Sequence, residues 1–232
     1  RSCDDCRVSP RLCSSLTWLG ESRPGGFAEE LTVPAADVYP IGENALPIDT
    51  AVLAEPLAVV LTALRKIPDD ARTALILGYG PIGALAHHVL RGRGLDVTVA
   101  EPNPGRLAAA LERTAHDAGE PIGRMDVVID AAGYRGSVAA AFEAVRRGGT
   151  VLVIAIADHP LDISAQSLVE KGVTIATSVG FDDDGIPAAL ELLAGSPELY
   201  GSVVSDRITL ADLPAHLTHP SSTVGKVVVT FP

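Results

Sequence analysis

The segment Leu75-Ile76-Leu77-Gly78-Tyr79-Gly80-Pro81-Ile82-Gly83 carries the clearest chemistry in this chain. An apolar run enters three glycines spaced G-x-G-x-x-G, and Ile82, Leu85, Ala86, Val89 and Leu90 then recur at helical spacing. Strand, glycine turn and helix in that order are how a backbone seats a dinucleotide pyrophosphate. Gly78 permits the tight turn, Gly80 lets the main chain approach the phosphates, and Gly83 lets the helix lie close to the sheet. The helix start adds unpaired N–H groups and the positive end of its dipole. Pro81 suits the first helical position, where no N–H is needed. Taken alone, the glycines also fit a structural turn or a methyltransferase site.

The second element of the pattern is an acid. Leu95 to Ala100 reads as a strand ending at Glu101, about twenty residues past the glycines, where a carboxylate accepts ribose hydroxyls. The same carboxylate would oppose the 2′-phosphate of NADP. Two unit charges about 4 Å apart repel by roughly 1–4 kcal/mol for effective dielectrics of 80 to 20, about fivefold to several-hundredfold in affinity. NAD is the expected cofactor. Arg106 lies near enough to reach the same pocket and argues the other way, because arginine accommodates a 2′-phosphate.

The elements that must position these residues alternate along the middle of the chain. Asp126 to Asp130 reads as a buried strand running into the small-residue loop Ala131-Ala132-Gly133. A helix with Val138, Phe142 and Val145 follows, then the turn Arg147-Gly148-Gly149 and a strand from Thr150 to Ile156. A last strand, Val173 to Val179, precedes a helix between Pro187 and Ala194. Near-continuously apolar strands alternating with helices predict an α/β, doubly wound parallel sheet covered on both faces. Between Leu107 and Asp126 there is room for little beyond one helix, so an edge strand is expected to be lost or reduced to a loop. The flanks differ in texture. Ser22 to Thr50 is rich in Pro and Gly with short alternating runs such as Phe27 to Val33, and Gly225 to Phe231 returns to that style. Antiparallel strands are expected there, joining across the sequence into a small β domain around the α/β unit.

A chain of 232 residues buries roughly 70% of its unfolded surface, enough for one large domain or two small ones. Acidic residues outnumber basic ones by 29 to 18, for a formal charge of −11. No basic stripe breaks that balance, so neither nucleic acid nor an anionic membrane is an expected partner. The longest apolar stretches, such as Val151 to Ala157, are far too short to span a bilayer, and no leader sequence is visible. The only cysteines, Cys3, Cys6 and Cys13, cluster near the N-terminus. That usage suggests a metal knot in a reducing cytoplasm rather than a secreted disulfide framework. The chain starts at Arg1 without an initiator Met, and a missing upstream segment is expected.

In this order the motifs resemble the medium-chain, zinc-dependent alcohol and polyol dehydrogenase family, in its sorbitol and threonine dehydrogenase branch. Gly25-Gly26-Phe27-Ala28-Glu29 is similar to that family's GGFAEY strand, and Val33-Pro34-Ala35 with Val38-Tyr39-Pro40-Ile41 to its VPA…V..LP segment. Glu55-Pro56-Leu57-Ala58 resembles EPLA, Gly78 to Gly83 GAGPIG, Arg147 to Val151 RPGGTV, and Gly225-Lys226-Val227-Val228 the terminal GKVV. The resemblance covers nearly the whole chain. It implies a Rossmann-type sheet over residues 53–200, inserted between remnants of a GroES-like β domain at 1–52 and 201–232. It implies hydride transfer between NAD and a secondary alcohol or polyol, and a homodimer or homotetramer. Gly78, Gly80, Pro81 and Gly83 would hold the pyrophosphate; Ile82, Glu101 and Arg106 would contact the adenosine half. Ala132 and Gly133 would border the cofactor. Ile154, Ala155 and Ile156, with Ser178, Val179 and Gly180, would line the nicotinamide end.

The same resemblance implies metals. Glu55 falls where that branch places a carboxylate at or beside catalytic zinc; read alone, it is a helix-start carboxylate favoured by the dipole. Cys3, Cys6 and Cys13 match three members of a C-x2-C-x2-C-x7-C structural-zinc lobe. The first member would precede Arg1, and Cys13 comes one residue early, with Ser14 at the matching place. A metal-free loop with reduced thiols is the alternative. The family's remaining catalytic zinc ligands come from an N-terminal segment with no counterpart here. None of His87, His88, His116, His159, His216 or His219 sits in such a motif, and His87 and His88 read as exposed or packing residues. A truncated dehydrogenase is therefore the leading expectation, with a non-catalytic NAD(H)-binding protein as the alternative.

Overall fold

The computed structural model describes residues 3–41, 46–111, 124–218 and 224–231. The N-terminal stretch holds α1 (Asp4–Val8) and short 3-10 turns at Pro10–Leu12 and Ala35–Asp37. After α2 (Ile48–Ala51) and α3 (Ala54–Leu64), strands and helices alternate: β1 (Thr73–Leu77), α4 (Pro81–Gly92), β2 (Asp96–Ala100), α5 (Pro104–Leu111), β3 (Met125–Asp130), α6 (Ser137–Ala144) and β4 (Val145–Val153). Then come α7 (Ala165–Lys171), β5 (Thr174–Thr177), α8 (Gly185–Gly195), α9 (Pro197–Gly201), β6 (Val204–Thr209), α10 (Leu213–Thr218) and β7 (Lys226–Thr230).

Strands β1 to β5 form one parallel sheet in the order β2-β1-β3-β4-β5. Side chains alternate across it, as a period of two requires. Ile76, Val127, Ile129 and Leu152 point to one face, where α3, α4 and α8 bring Leu57, Leu64, Leu85, Leu90 and Leu193 against them. Leu75, Leu77, Val128 and Val151 point to the other, against Ala141 of α6. Both faces are covered, so the strands are apolar almost throughout. Register places Ala100, Leu77, Asp130, Val153 and Thr177 side by side. The five carboxyl ends therefore finish in one row, and chain crossing to opposite sides of β1 opens a crevice beyond it.

The flanks depart from expectation. No strand forms among the described residues of 22–50, and no residue in 3–41 is buried; Phe27 is 64% exposed. A lone strand without a neighbour leaves its backbone groups unpaired, so the alternating pattern alone does not make one. The terminal strand β7 pairs in parallel with β6 and, among the described residues, not with the N-terminal segment. The sheet strands also stop short of their expected ends: Ile154 to Ile156 and Ser178 to Val179 lie beyond β4 and β5. Residues 112–123, on which the expected loss of an edge strand falls, lie outside the described residues.

Candidate functional site

The glycine turn leaves β1 at the centre of the row. Gly78 has φ +92°, a left-handed conformation that a side chain resists, and its N–H donates to the carbonyl of Ala100 at 2.8 Å. A Cβ on Gly83 would fall 2.0 Å from the Gly78 carbonyl oxygen, so only glycine lets α4 approach the turn this closely. At Gly80 a Cβ would meet no atom within 4 Å. The backbone there faces open space at the start of α4, with Pro81 at the first helical position. An α4 N-terminus with its first N–H groups lacking intrahelical partners is suited to an anion.

Beside the turn lies a cleft of about 640 Å³ bordered by Gly78, Gly80, Glu101, Arg106, Ala132 and Tyr134 among others. Glu101 sits immediately after β2. Its Oε2 accepts the Tyr79 N–H at 2.7 Å and its Oε1 the Asn103 N–H at 2.8 Å. These bonds fix the carboxylate against the glycine turn and leave each oxygen a further lone pair for a hydroxyl donor. Asn103 caps α5 by accepting the Gly105 and Arg106 N–H groups at 3.0 and 3.1 Å, which carries Arg106 to the cleft wall. Arg106 Nε donates to the Val224 carbonyl at 3.2 Å.

The opposite wall is built by Asp130, which sequence reasoning did not single out. Buried at the end of β3, it accepts the Ala132 and Gly133 N–H groups at 3.1 and 3.0 Å and the Ser137 hydroxyl at 2.5 Å. An aspartate ahead of two alanines and a glycine is the available signal, since aspartate side chains commonly close turns on their own backbone. Tyr134, also missed, presents a half-exposed ring to the cleft. Of the expected residues, Gly78, Gly80, Glu101, Arg106 and Ala132 border it; Pro81 and Gly83 shape it from behind, and Ile82 packs against the core. Ile154, Ala155 and Ile156 follow β4, with Ile154 buried and Ile156 96% exposed. Ser178, Val179 and Gly180 follow β5; the Trp18 ring lies where a Gly180 side chain would be, 3.0 Å from its Cβ position. These two loops stand at the neighbouring strand tips, outside the cleft itself.

His87 and His88 are buried on α4, 1% and 5% exposed. They form an edge-to-face ladder with Tyr79 and Tyr200, with centroid spacings of 5.7, 5.4 and 5.8 Å. Both are packing residues. His159 is exposed, while His116 and His219 lie outside the described residues.

The metal expectations divide. The three cysteine sulfurs lie within 4.8 Å of one another, with Cys3 Sγ 3.3 Å from Cys6 Sγ and 3.8 Å from Cys13 Sγ. Tetrahedral zinc with Zn–S near 2.3 Å needs sulfurs about 3.8 Å apart, so these three fit three corners of such a site despite the early Cys13. The Cys6 amide and thiol hold the Cys3 thiol below its ordinary pKa; hydrogen bonding to Cys3 and then Cys13 pushes Cys6 up to about 11. Glu55 lies in the first turn of α3, its carboxyl raised by partial burial against a smaller opposing pull from Lys226. Among the described residues, no group of three or more metal-ligating side chains includes Glu55. Among the described residues, the donors beside Glu55 do not fit a catalytic zinc.

Residues 81–195 match the zinc-binding dehydrogenase family. The chain is 31% identical to D-altritol 5-dehydrogenase from Agrobacterium fabrum over 249 aligned positions, covering 99% of this chain and 72% of that protein. The chain belongs to the zinc-binding dehydrogenase family. It spans 51–56% of the length of further curated relatives, among them L-galactonate-5-dehydrogenase, L-threonine 3-dehydrogenases and D-arabinitol dehydrogenase 1. A solved structure from Sinorhizobium meliloti 1021, described as a zinc-binding dehydrogenase bound to NADP, superposes with a TM-score of 0.86 at 26% identity, over 99% of this chain and 73% of that one. A protein from E. coli CFT073 described as a short chain alcohol dehydrogenase complexed with NADH gives a TM-score of 0.87 at 24% identity, over 99% of this chain and 73% of that one, a likeness of fold. The dehydrogenase fold implied by the ordered motifs is thus the fold observed. No described helix is long and apolar enough to cross a membrane.

Proposed function

We propose that this chain binds NAD in the cleft at the carboxyl ends of β1, β2 and β3, as the nucleotide-binding part of an NAD-dependent alcohol or polyol dehydrogenase. The observation that carries the reading is the Gly83–Gly78 contact, which presses the start of α4 onto a turn whose Gly80 faces open space beside Glu101. In this reading the α4 N-terminus and the Gly80 backbone take the pyrophosphate. Glu101 takes the ribose hydroxyls, and Ala132, Tyr134 and Arg106 flank the adenosine half. The tips after β4 and β5, with Ile154 to Ile156 and Ser178 to Gly180, direct the nicotinamide toward the substrate. Bound NAD supplies the hydride acceptor. Residues 53–200 form the nucleotide unit, and 1–52 with 201–232 belong to a second domain. NAD is favoured over NADP because Glu101 is held against the turn by two backbone N–H groups and meets a 2′-phosphate as a charge.

The test is isothermal calorimetry of the chain with NADH and NADPH. Binding of NADH at least tenfold tighter than NADPH is expected, and an absence of binding by either nucleotide overturns the proposal. A second reading is an NAD(H)-binding protein without alcohol oxidation; among the described residues no group of three metal-ligating side chains includes Glu55. It predicts the same calorimetry with no NADH formed from NAD and a panel of secondary alcohols and polyols, with or without added zinc.

A further inference from the structure

The loop from Ser178 to Asp184 joins β5 to α8, and both of its ends are tied to the α/β unit. At its start the Ser178 N–H donates to the Val153 carbonyl at 3.3 Å, and Lys66 Nζ donates to the Thr177 carbonyl. At its far end the Asp182 N–H donates to Thr62 Oγ1 at 3.3 Å, and Arg65 grips Asp184 through bonds of 3.1 and 2.6 Å. Between these ties stands the Val179-Gly180 turn, with φ +61° at Gly180 and Val179 44% exposed.

The N-terminal lobe restrains that turn. The Trp18 ring lies 3.0 Å from where a Gly180 Cβ would stand, and Arg11 Cβ lies 3.7 Å from the same point. Ser9 Oγ donates to Asp182 Oδ1 at 3.4 Å, and the Arg11 guanidinium pairs with that oxygen at 3.5 Å. Arg65 of α3 reaches Asp182 Oδ2 at 3.4 Å. Asp182 therefore joins lobe, loop and α3. Arg11 Nε and Nη1 are buried without a well-aligned hydrogen bond, so Asp182 is the charge that compensates this guanidinium among the described residues. A desolvated ion pair adds little net stability, so its place beside Gly180 points to a geometric role.

We propose that Asp182 is a positioning residue for the nicotinamide half of NAD: with Arg11 and Trp18 it sets the Val179-Gly180 turn against which that half binds. The inference rests on the NAD reading and names what the lobe contributes to it. The lobe acts here on one end of the coenzyme, leaving the contacts at Gly80 and Glu101 as they are. Ser9 and Arg11 are carried between Cys6 and Cys13, so zinc on those sulfurs would brace the clasp rather than compete with it. Without the clasp the turn holds its binding shape for only a fraction of the time, and affinity falls by that fraction. ADP-ribose, which lacks the nicotinamide ring, is indifferent to the change.

The chain, prepared without chelator, and its Asp182→Ala, Arg11→Ala and Arg11→Lys variants are titrated by calorimetry with NADH and with ADP-ribose. In Asp182→Ala, Arg65 keeps both bonds to Asp184, and unchanged ADP-ribose binding reports an intact fold. The expected result is an NADH Kd raised about tenfold in both alanine variants, with the ADP-ribose Kd within about twofold of the unaltered chain. Arg11→Lys keeps the charge facing Asp182, and its NADH Kd should stay within about threefold. The emission of bound NADH, which rises when the reduced ring is shielded from water, should fall in the same order. An NADH Kd unchanged in both alanine variants, or equal losses for NADH and ADP-ribose, overturns the proposal and leaves the NAD reading standing. An unaltered chain that binds neither ligand overturns the NAD reading itself, and this inference with it.

Discussion

Gly80 and Gly83 stand three residues apart in one turn, yet substitution should separate their roles. Alanine at Gly83 drives a methyl into the Gly78 carbonyl. Overpacking of that kind costs about 1–3 kcal/mol or more, and NADH affinity should fall with it. Alanine at Gly80 meets no protein atom and has an ordinary extended backbone, φ −70°. Its methyl intrudes only on a ligand, so urea unfolding should change by less than about 0.5 kcal/mol while the NADH Kd rises about tenfold or more. Equal losses in both measurements for both variants would remove the cleft assignment. Glu101→Gln keeps the shape and removes the charge. NADH affinity should weaken by about 1.5–3 kcal/mol, the worth of a charged hydrogen bond, and NADPH affinity should hold or improve; calorimetry with the two nucleotides reads both.

At the scale of elements, the foot of the sheet is closed by Asp126 as its carboxyl row is opened by the glycine turn. Asp126 accepts the Arg72 and Thr73 N–H groups at 2.8 and 2.9 Å and pairs with Arg146 Nε at 2.6 Å, tying β1, β3 and β4 together. The Arg146 guanidinium foremost, with those backbone donors, holds the carboxyl well below the usual carboxylate range. The folded pKa thus lies under the unfolded value of about 3.9, so the clasp contributes fully above about pH 5, weakens below the unfolded value and is lost only as pH falls through the folded one. Asp126→Asn should cost about 1–2 kcal/mol at pH 7, discounted for the exposure of Arg146, and only modestly less at pH 3, where the folded carboxyl is still ionised. Urea titrations of both proteins at pH 7, 5 and 3 check that the difference narrows without closing. Elements with their own periodicity were legible in the sequence: β1, α4 and β3 are read directly from apolar runs and the glycine spacing. The N-terminal flank was not, because alternation in Phe27 to Val33 specifies a strand only when a partner edge is available. Asp130 escaped for a related reason, and for His87 and His88 the sequence left exposed and packing roles open, of which the structure shows packing. Their roles depend on the turn closed and the rings met, neither of which spacing encodes.

For the molecule as a whole, binding and stability are one quantity viewed twice. A nucleotide that occupies the cleft of the folded chain alone adds about 2.7 kcal/mol at one hundred times its Kd. For a chain of this size that raises the thermal midpoint by about 5–10 °C, and Gly80→Ala should abolish the rise at the same NADH concentration. The two sides of the cleft are also unequal in how they can be altered. Asp130 anchors the turn after β3 through two amides and a hydroxyl from a fully buried position. The facing side rests on Glu101, Asn103 and Arg106, side chains reachable from solvent. Redesign of coenzyme preference therefore has one practical direction: the β2 side accepts rewriting, whereas replacing Asp130 would unfasten the ledge against which any new preference has to be measured.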